Sequence, residues 1–143
     1  MEGWVRKFRQ VICNVTMSSY LIKNKWTDYR EKKIYILDSG GKYNIHRYMN
    51  LFKELGVKHS ILADKDQNTG INEYINTFLL GEKNDYTKSI DFFDIDIEAF
   101  LGITPPPNNR NDKKPLNIIW QYSKGNIPGN KIEELKEKIS HLL

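Results

Sequence analysis

At 143 residues, 39% of them hydrophobic and 28% charged, the chain has enough material for one buried core and too much apolar content for a disordered tail. Its 22 Lys and Arg against 18 Asp and Glu give a net charge of +4, which favours anionic partners such as nucleic acid. A mean hydropathy of −0.61, with no apolar run near the ~20 residues a bilayer span requires, argues against a membrane protein.

Trp4, Phe8, Val11, Ile12, Val15 and Leu21 recur at helical spacing, which predicts an amphipathic helix from residue 4 to about 22. Lys33 to Leu37 is a short apolar run closed by Asp38-Ser39-Gly40-Gly41, the pattern of a strand entering a glycine turn. Ile45, Tyr48, Met49, Phe52 and Leu55 mark a second helix that stops at Gly56. His59 to Ala63 reads as a strand ending at Asp64, and Ile71, Tyr74, Ile75, Phe78 and Leu79 as a helix stopped by Gly81. Ser89 to Phe93 fits a further strand, and Asp96 to Leu101 one helical turn.

Pro105-Pro106-Pro107 and the polar stretch 108–112 form a stiff turn and a solvated loop. Lys114-Pro115 opens a helix through Tyr122, and Asn130 caps a last helix carrying Ile132, Leu135, Ile139 and Leu142. The alternation of strand and helix implies βαβ units on a parallel sheet, with no linker dividing the 143 residues. Ligand chemistry in such sheets gathers at the carboxyl ends of the strands, where Asp38, Asp64 and the glycine turn fall.

Asp64-Lys65-Asp66 sets two carboxylates two residues apart just past a strand. Both could turn toward one hard cation, and Mg²⁺ takes one or two carboxylates while keeping waters and phosphate oxygens; equally, they could cap the next helix. An EF-hand is excluded, because Thr69 stands where the loop needs glycine and Ile75 where it needs glutamate. Asp91, Asp94, Asp96 and Glu98 form an acidic knot in a basic chain. Its carboxylates repel unless a cation or basic group offsets them, although a solvated edge or an acidic helix start would also account for them.

Gly40-Gly41-Lys42 lacks the earlier glycine and the following Ser or Thr of a Walker loop, so it either presents backbone N–H groups to a phosphate or is simply a tight turn. His46, His59 and His141 have no ligand spacing and read as surface or cap residues, and Cys13 reads as core. A lone cysteine admits no internal disulfide and fits a reducing cytoplasm.

Taken in order, these pieces resemble the Toprim domain of OLD-family (overcoming lysogenization defect) nucleases. The resemblance rests on Glu2-Gly3, on Ile34 to Lys42, on Tyr48 to Val57 and on Ile61 to Asp66. It is most specific over residues 32–66, with Asp96-Ile97-Glu98 and Lys114-Pro115 as weaker downstream matches and 114–143 as a helical tail. It implies an α/β Toprim, Rossmann-like domain spanning residues 1–143, with a parallel sheet flanked by helices. It further implies a metal-dependent DNA endonuclease with two Mg²⁺ or Mn²⁺ ions, usually fused behind an ABC-type ATPase, in the same or a companion chain, with anti-phage defence as a setting.

Carried over by motif, Glu2 is a metal ligand or general base, Asp64 and Asp66 hold one ion, Asp96 and Glu98 a second, and Lys114 stabilises charge on the scissile phosphate. Lys42, Arg47 and Lys65 would neutralise neighbouring phosphates. Two departures stand out: Arg6 occupies the place of a second glutamate, and no apolar strand precedes Glu2. The second leads to the expectation of a sheet whose first strand is missing or supplied from elsewhere, with an open edge that invites homo-oligomers. A degenerate Toprim module that binds nucleic acid or a partner without cutting is the alternative. A receiver-like module is disfavoured, since its acidic pair after the first strand is not seen.

Overall fold

The computed structural model describes residues 9–13, 34–107 and 114–142, with side chains from 36–107 and 116–142. Among the described residues, four strands form one parallel sheet: β1 (Arg9–Cys13), β2 (Ile34–Asp38), β3 (His59–Asp64) and β4 (Thr87–Phe93), in the order β2-β1-β3-β4. β1 pairs with β2 in the register Val11↔Ile36 and with β3 in the register Val11↔Ser60. Five α-helices among the described residues accompany them: α1 (Ile45–Glu54), α2 (Ile71–Gly81), α3 (Ile97–Leu101), α4 (Lys114–Ser123) and α5 (Gly129–Leu142). The α/β parallel architecture expected from the sequence is the one found.

The amino-terminal segment differs from expectation. Within the span read as a helix over residues 4 to about 22, Arg9–Cys13 is a strand. It also occupies the inner position that was expected to be missing, between β2 and β3. Physically, a strand buried within a parallel sheet reads as a short apolar run, and such runs fit helical and extended periodicities equally well. Val11 and Ile12 are β-branched and suit the extended form.

β3 is buried along its whole length, and its alternation sorts the core into two clusters. Ile61 and Ala63 pack with Ile45, Met49 and Phe52 of α1 and Ile75 and Leu79 of α2. Leu62 joins Phe93, the α3 residues Ile97 and Leu101, Ile118 of α4, and Ile132, Leu135, Ile139 and Leu142 of α5. The Ser60 hydroxyl donates to the Leu142 carbonyl, tying the last helix to the same strand. Lys138 of α5 reaches Asp91 of β4 at 2.8 Å.

α1 forms because Ile45, Met49 and Phe52 share one face at helical spacing. It ends where Gly56 adopts φ +67°, with the Gly56 N–H donating to Lys53 and the Val57 N–H to Phe52. This 6→1 and 5→2 pairing favours a residue without a Cβ.

Candidate functional site

In the order β2-β1-β3-β4 the chain leaves β1 toward one side and β3 toward the other. The crevice at the carboxyl ends of β1 and β3 is therefore the topological switch point, where open α/β sheets bind ligands. Asp38 closes β2, Asp64 closes β3, and both fall on this edge. The Asp64 side chain is buried and Asp38 is exposed.

Beyond Asp64 the chain stays against its neighbour for two residues. The Lys65 N–H donates to Phe93 at 3.0 Å and the Asp66 N–H to Ile95 at 2.9 Å. Asp66, Gln67 and Asn68 then take φ values of +53°, +63° and +50° in succession. Asp and Asn tolerate this left-handed region better than Gln does, so the surroundings must hold the loop in place. They do so through α2: the buried Asn76 amide donates to the Lys65 carbonyl at 3.0 Å and to Asn68 Oδ1 at 2.9 Å, and Asn72 donates to the Asp66 carbonyl at 3.2 Å.

The glycine turn supplies the remaining component. Gly40 and Gly41 have φ of +68° and +129°. The Gly40 N–H donates to Asp38 Oδ1 at 2.9 Å, and the Ser39 hydroxyl to the Gly41 carbonyl at 2.9 Å. The turn delivers Lys42 inward, where only 4% of its side chain is exposed. Its Nζ donates to the Asp64 carbonyl at 2.8 Å and to Asp66 Oδ2 at 2.9 Å. Lys42 was expected to face phosphates; it is instead an internal partner of the D-x-D loop.

The other expected site residues that are described have varied surroundings. Asp96 caps α3, accepting from the Ala99 N–H at 2.8 Å, which is the helix-start alternative of the sequence reading. Glu98 is buried in α3. Lys65 lies 3.9 Å from the fully exposed Asp94, and Arg47 is exposed on α1. Glu2 and Arg6 fall outside the described residues; Lys114 begins α4, and its side chain also falls outside them. Among the described residues, no three His, Cys, Asp or Glu side chains gather as a metal-holding group.

The donors here are hard oxygens, the right chemistry for Mg²⁺ or Mn²⁺. Among the described residues, Asp66 is already bound to an ammonium and Asp96 to a helix end, an arrangement unlike a two-ion cage.

His59 departs from the surface or cap role expected of it. It is buried, with Nδ1 3.0 Å from the Val57 carbonyl and Nε2 3.0 Å from the Thr87 hydroxyl. A carbonyl only accepts, so Nδ1 carries the proton and Nε2 accepts from Thr87. Burial disfavours the charged ring and lowers its pKa below 6.5, partly opposed by the Val57 hydrogen bond. A cavity of about 330 Å³ beside the loop, lined by Tyr43, His46, Tyr74 and Phe78 as well as Lys42, is a feature that sequence reading did not find. Tyr43 and Tyr74 are exposed, although the helical spacing counted Tyr74 among the apolar residues of α2.

Residues 14–66 match the family model described as "Overcoming lysogenization defect protein-like, TOPRIM domain". OLD-like Toprim domains act on nucleic acid, and Toprim domains generally bind divalent metal ions. A comparison with curated proteins finds no match.

Proposed function

We propose that this chain, which carries an OLD-like Toprim domain over residues 14–66, engages DNA at the carboxyl edge of its sheet as a binding module. The observation behind this reading is that Asp66, the second acid of the D-x-D loop, already has its charge met by Lys42 at 2.9 Å. The net charge of +4 and exposed cations such as Arg47 and the half-exposed Lys65 suit a phosphate backbone, whose binding is largely electrostatic and weakens with salt.

A second reading, metal-dependent endonuclease activity, is favoured by the position of Asp64 and Asp66 at the switch point inside the matched span. In that reading Asp64 and Asp66 hold Mg²⁺ or Mn²⁺, with Glu2, Asp96, Glu98 and Lys114 completing the chemistry. An ABC-type ATPase in the same or a companion chain and an anti-phage setting belong to the proposal through the resemblance, a cytoplasmic location through the lone Cys13, and a homo-oligomer through pairing at an open sheet edge. No described helix is long and apolar enough to cross a membrane.

Incubation with supercoiled plasmid in Mg²⁺, Mn²⁺ or EDTA, read by gel shift and by nicking, separates the readings. Retention without nicking, in EDTA as in metal, is expected. Metal-dependent nicking that vanishes in Asp64→Ala would establish the second reading, and absence of retention by folded protein would reject both.

A further inference from the structure

We infer that Lys42 is a built-in cation standing where a divalent ion would otherwise meet Asp66, so that this edge holds at most one such ion. The inference rests on reading the carboxyl edge as the working edge of the domain, but its test reads ion binding in the absence of DNA, so the two can fail separately. Three observations carry it. The Lys42 ammonium sits 2.8 Å from one hard oxygen, the Asp64 carbonyl, and 2.9 Å from another, Asp66 Oδ2. A divalent cation would seek the same kind of oxygen pair. The Lys42 side chain is also only 4% exposed, so leaving would strip the carbonyl and carboxylate of their partner and require the lysine to find water elsewhere.

The third observation is that the lysine is held from both sides. The Gly40-Gly41 turn, pinned by Asp38 and Ser39, fixes where its backbone begins. The Asn72 and Asn76 clamps fix the carbonyls and the left-handed backbone around Asp66. An ion arriving at Asp66 Oδ2 would meet a like charge whose neighbouring cavity is lined mainly by apolar and aromatic side chains, a poor refuge for an ammonium. Lys42 thus acts on the ion occupancy of Asp66 as a positioning and neutralising residue.

The probe is Mn²⁺ alone, titrated into the full chain and followed by electron paramagnetic resonance of the free ion. Wild type is expected to bind no more than one Mn²⁺ per chain. Lys42→Met, which keeps the apolar stem, is expected to bind Mn²⁺ at least tenfold more tightly or to gain one site. Adding Asp66→Asn to that variant should erase the gain, and Lys42→Arg should show none. Two Mn²⁺ per wild-type chain, or a folded Lys42→Met with unchanged Mn²⁺ binding, overturns the inference. If Lys42→Met does not fold, Asp66→Asn in the wild-type background decides: unchanged Mn²⁺ binding supports the inference and weakened binding overturns it.

Discussion

The two faces of the sheet are built alike and used differently. On one, α3, α4 and α5 cover Leu62 and Phe93 with Ile97, Leu101, Ile118, Leu135 and Ile139, and the cluster is closed by aliphatic and aromatic contact. On the other, α1 and α2 cover Ile61 and Ala63 in the same way, but this side also supplies the polar arms of the working edge. Lys42 precedes α1, and Asn72 and Asn76 lie on α2. One face therefore holds the fold together, while the other both holds it and shapes the loop after β3.

The largest effect expected from breaking this division is on the purely packed face. Leu135→Ala removes a buried side chain and should lower stability by about 2–5 kcal/mol in urea unfolding. Because the described hydrogen-bonding arms of the loop, Lys42, Asn72 and Asn76, come from the other face, the folded fraction should bind DNA as wild type does; a matching loss of affinity would show that the faces are coupled.

The next effect tests the arm-bearing face. Asn76→Ala deletes two hydrogen bonds to the loop and should cost about 1–3 kcal/mol. Unlike the core change, it should also raise hydrogen exchange at the amides of residues 65–68. Unchanged exchange there would mean that the loop holds its shape without α2.

A smaller and pH-dependent effect comes from His59, whose ring lies tilted against Phe52 with centroids 5.6 Å apart. Its folded-state pKa is depressed by burial, so the unfolded chain binds the proton more readily. Stability should be full above the unfolded value near 6.5 and should fall as pH drops below it, levelling off once the folded ring titrates. The slope should not exceed about 1.4 kcal/mol per pH unit from this one group. His59→Gln should flatten it in a melting series from pH 7.5 to 5. The smallest effect is at the rim, where Lys65 and the exposed Asp94 are 3.9 Å apart. Asp94→Ala should change stability by less than about 0.5 kcal/mol, and a larger change would bring the rim into the structural framework.

Most of the scaffold was legible in the sequence, because α1, α2 and α5 carry apolar residues at unmistakable helical spacing and β3 is bounded by Gly56 and Asp64. β1 was not, since Val11 and Ile12 serve a helix or a strand equally well and the choice is made by pairing with β2 and β3, far along the chain. The D-x-D motif was legible as chemistry. The role of Lys42 was not, because its acidic partner lies 24 residues away and nothing local to a Gly-Gly-Lys turn announces it. Asp96 was ambiguous for a related reason: an acid at a helix start and an acid at a metal look the same until the Ala99 N–H is placed.

The successive positive φ values of Asp66, Gln67 and Asn68 have one more consequence. A rim that has already surrendered its freedom during folding has little left to lose when a ligand arrives. The ordering entropy of association then falls on the visitor, and affinity should track the visitor's own stiffness, a rigid duplex ahead of a slack single strand of equal charge.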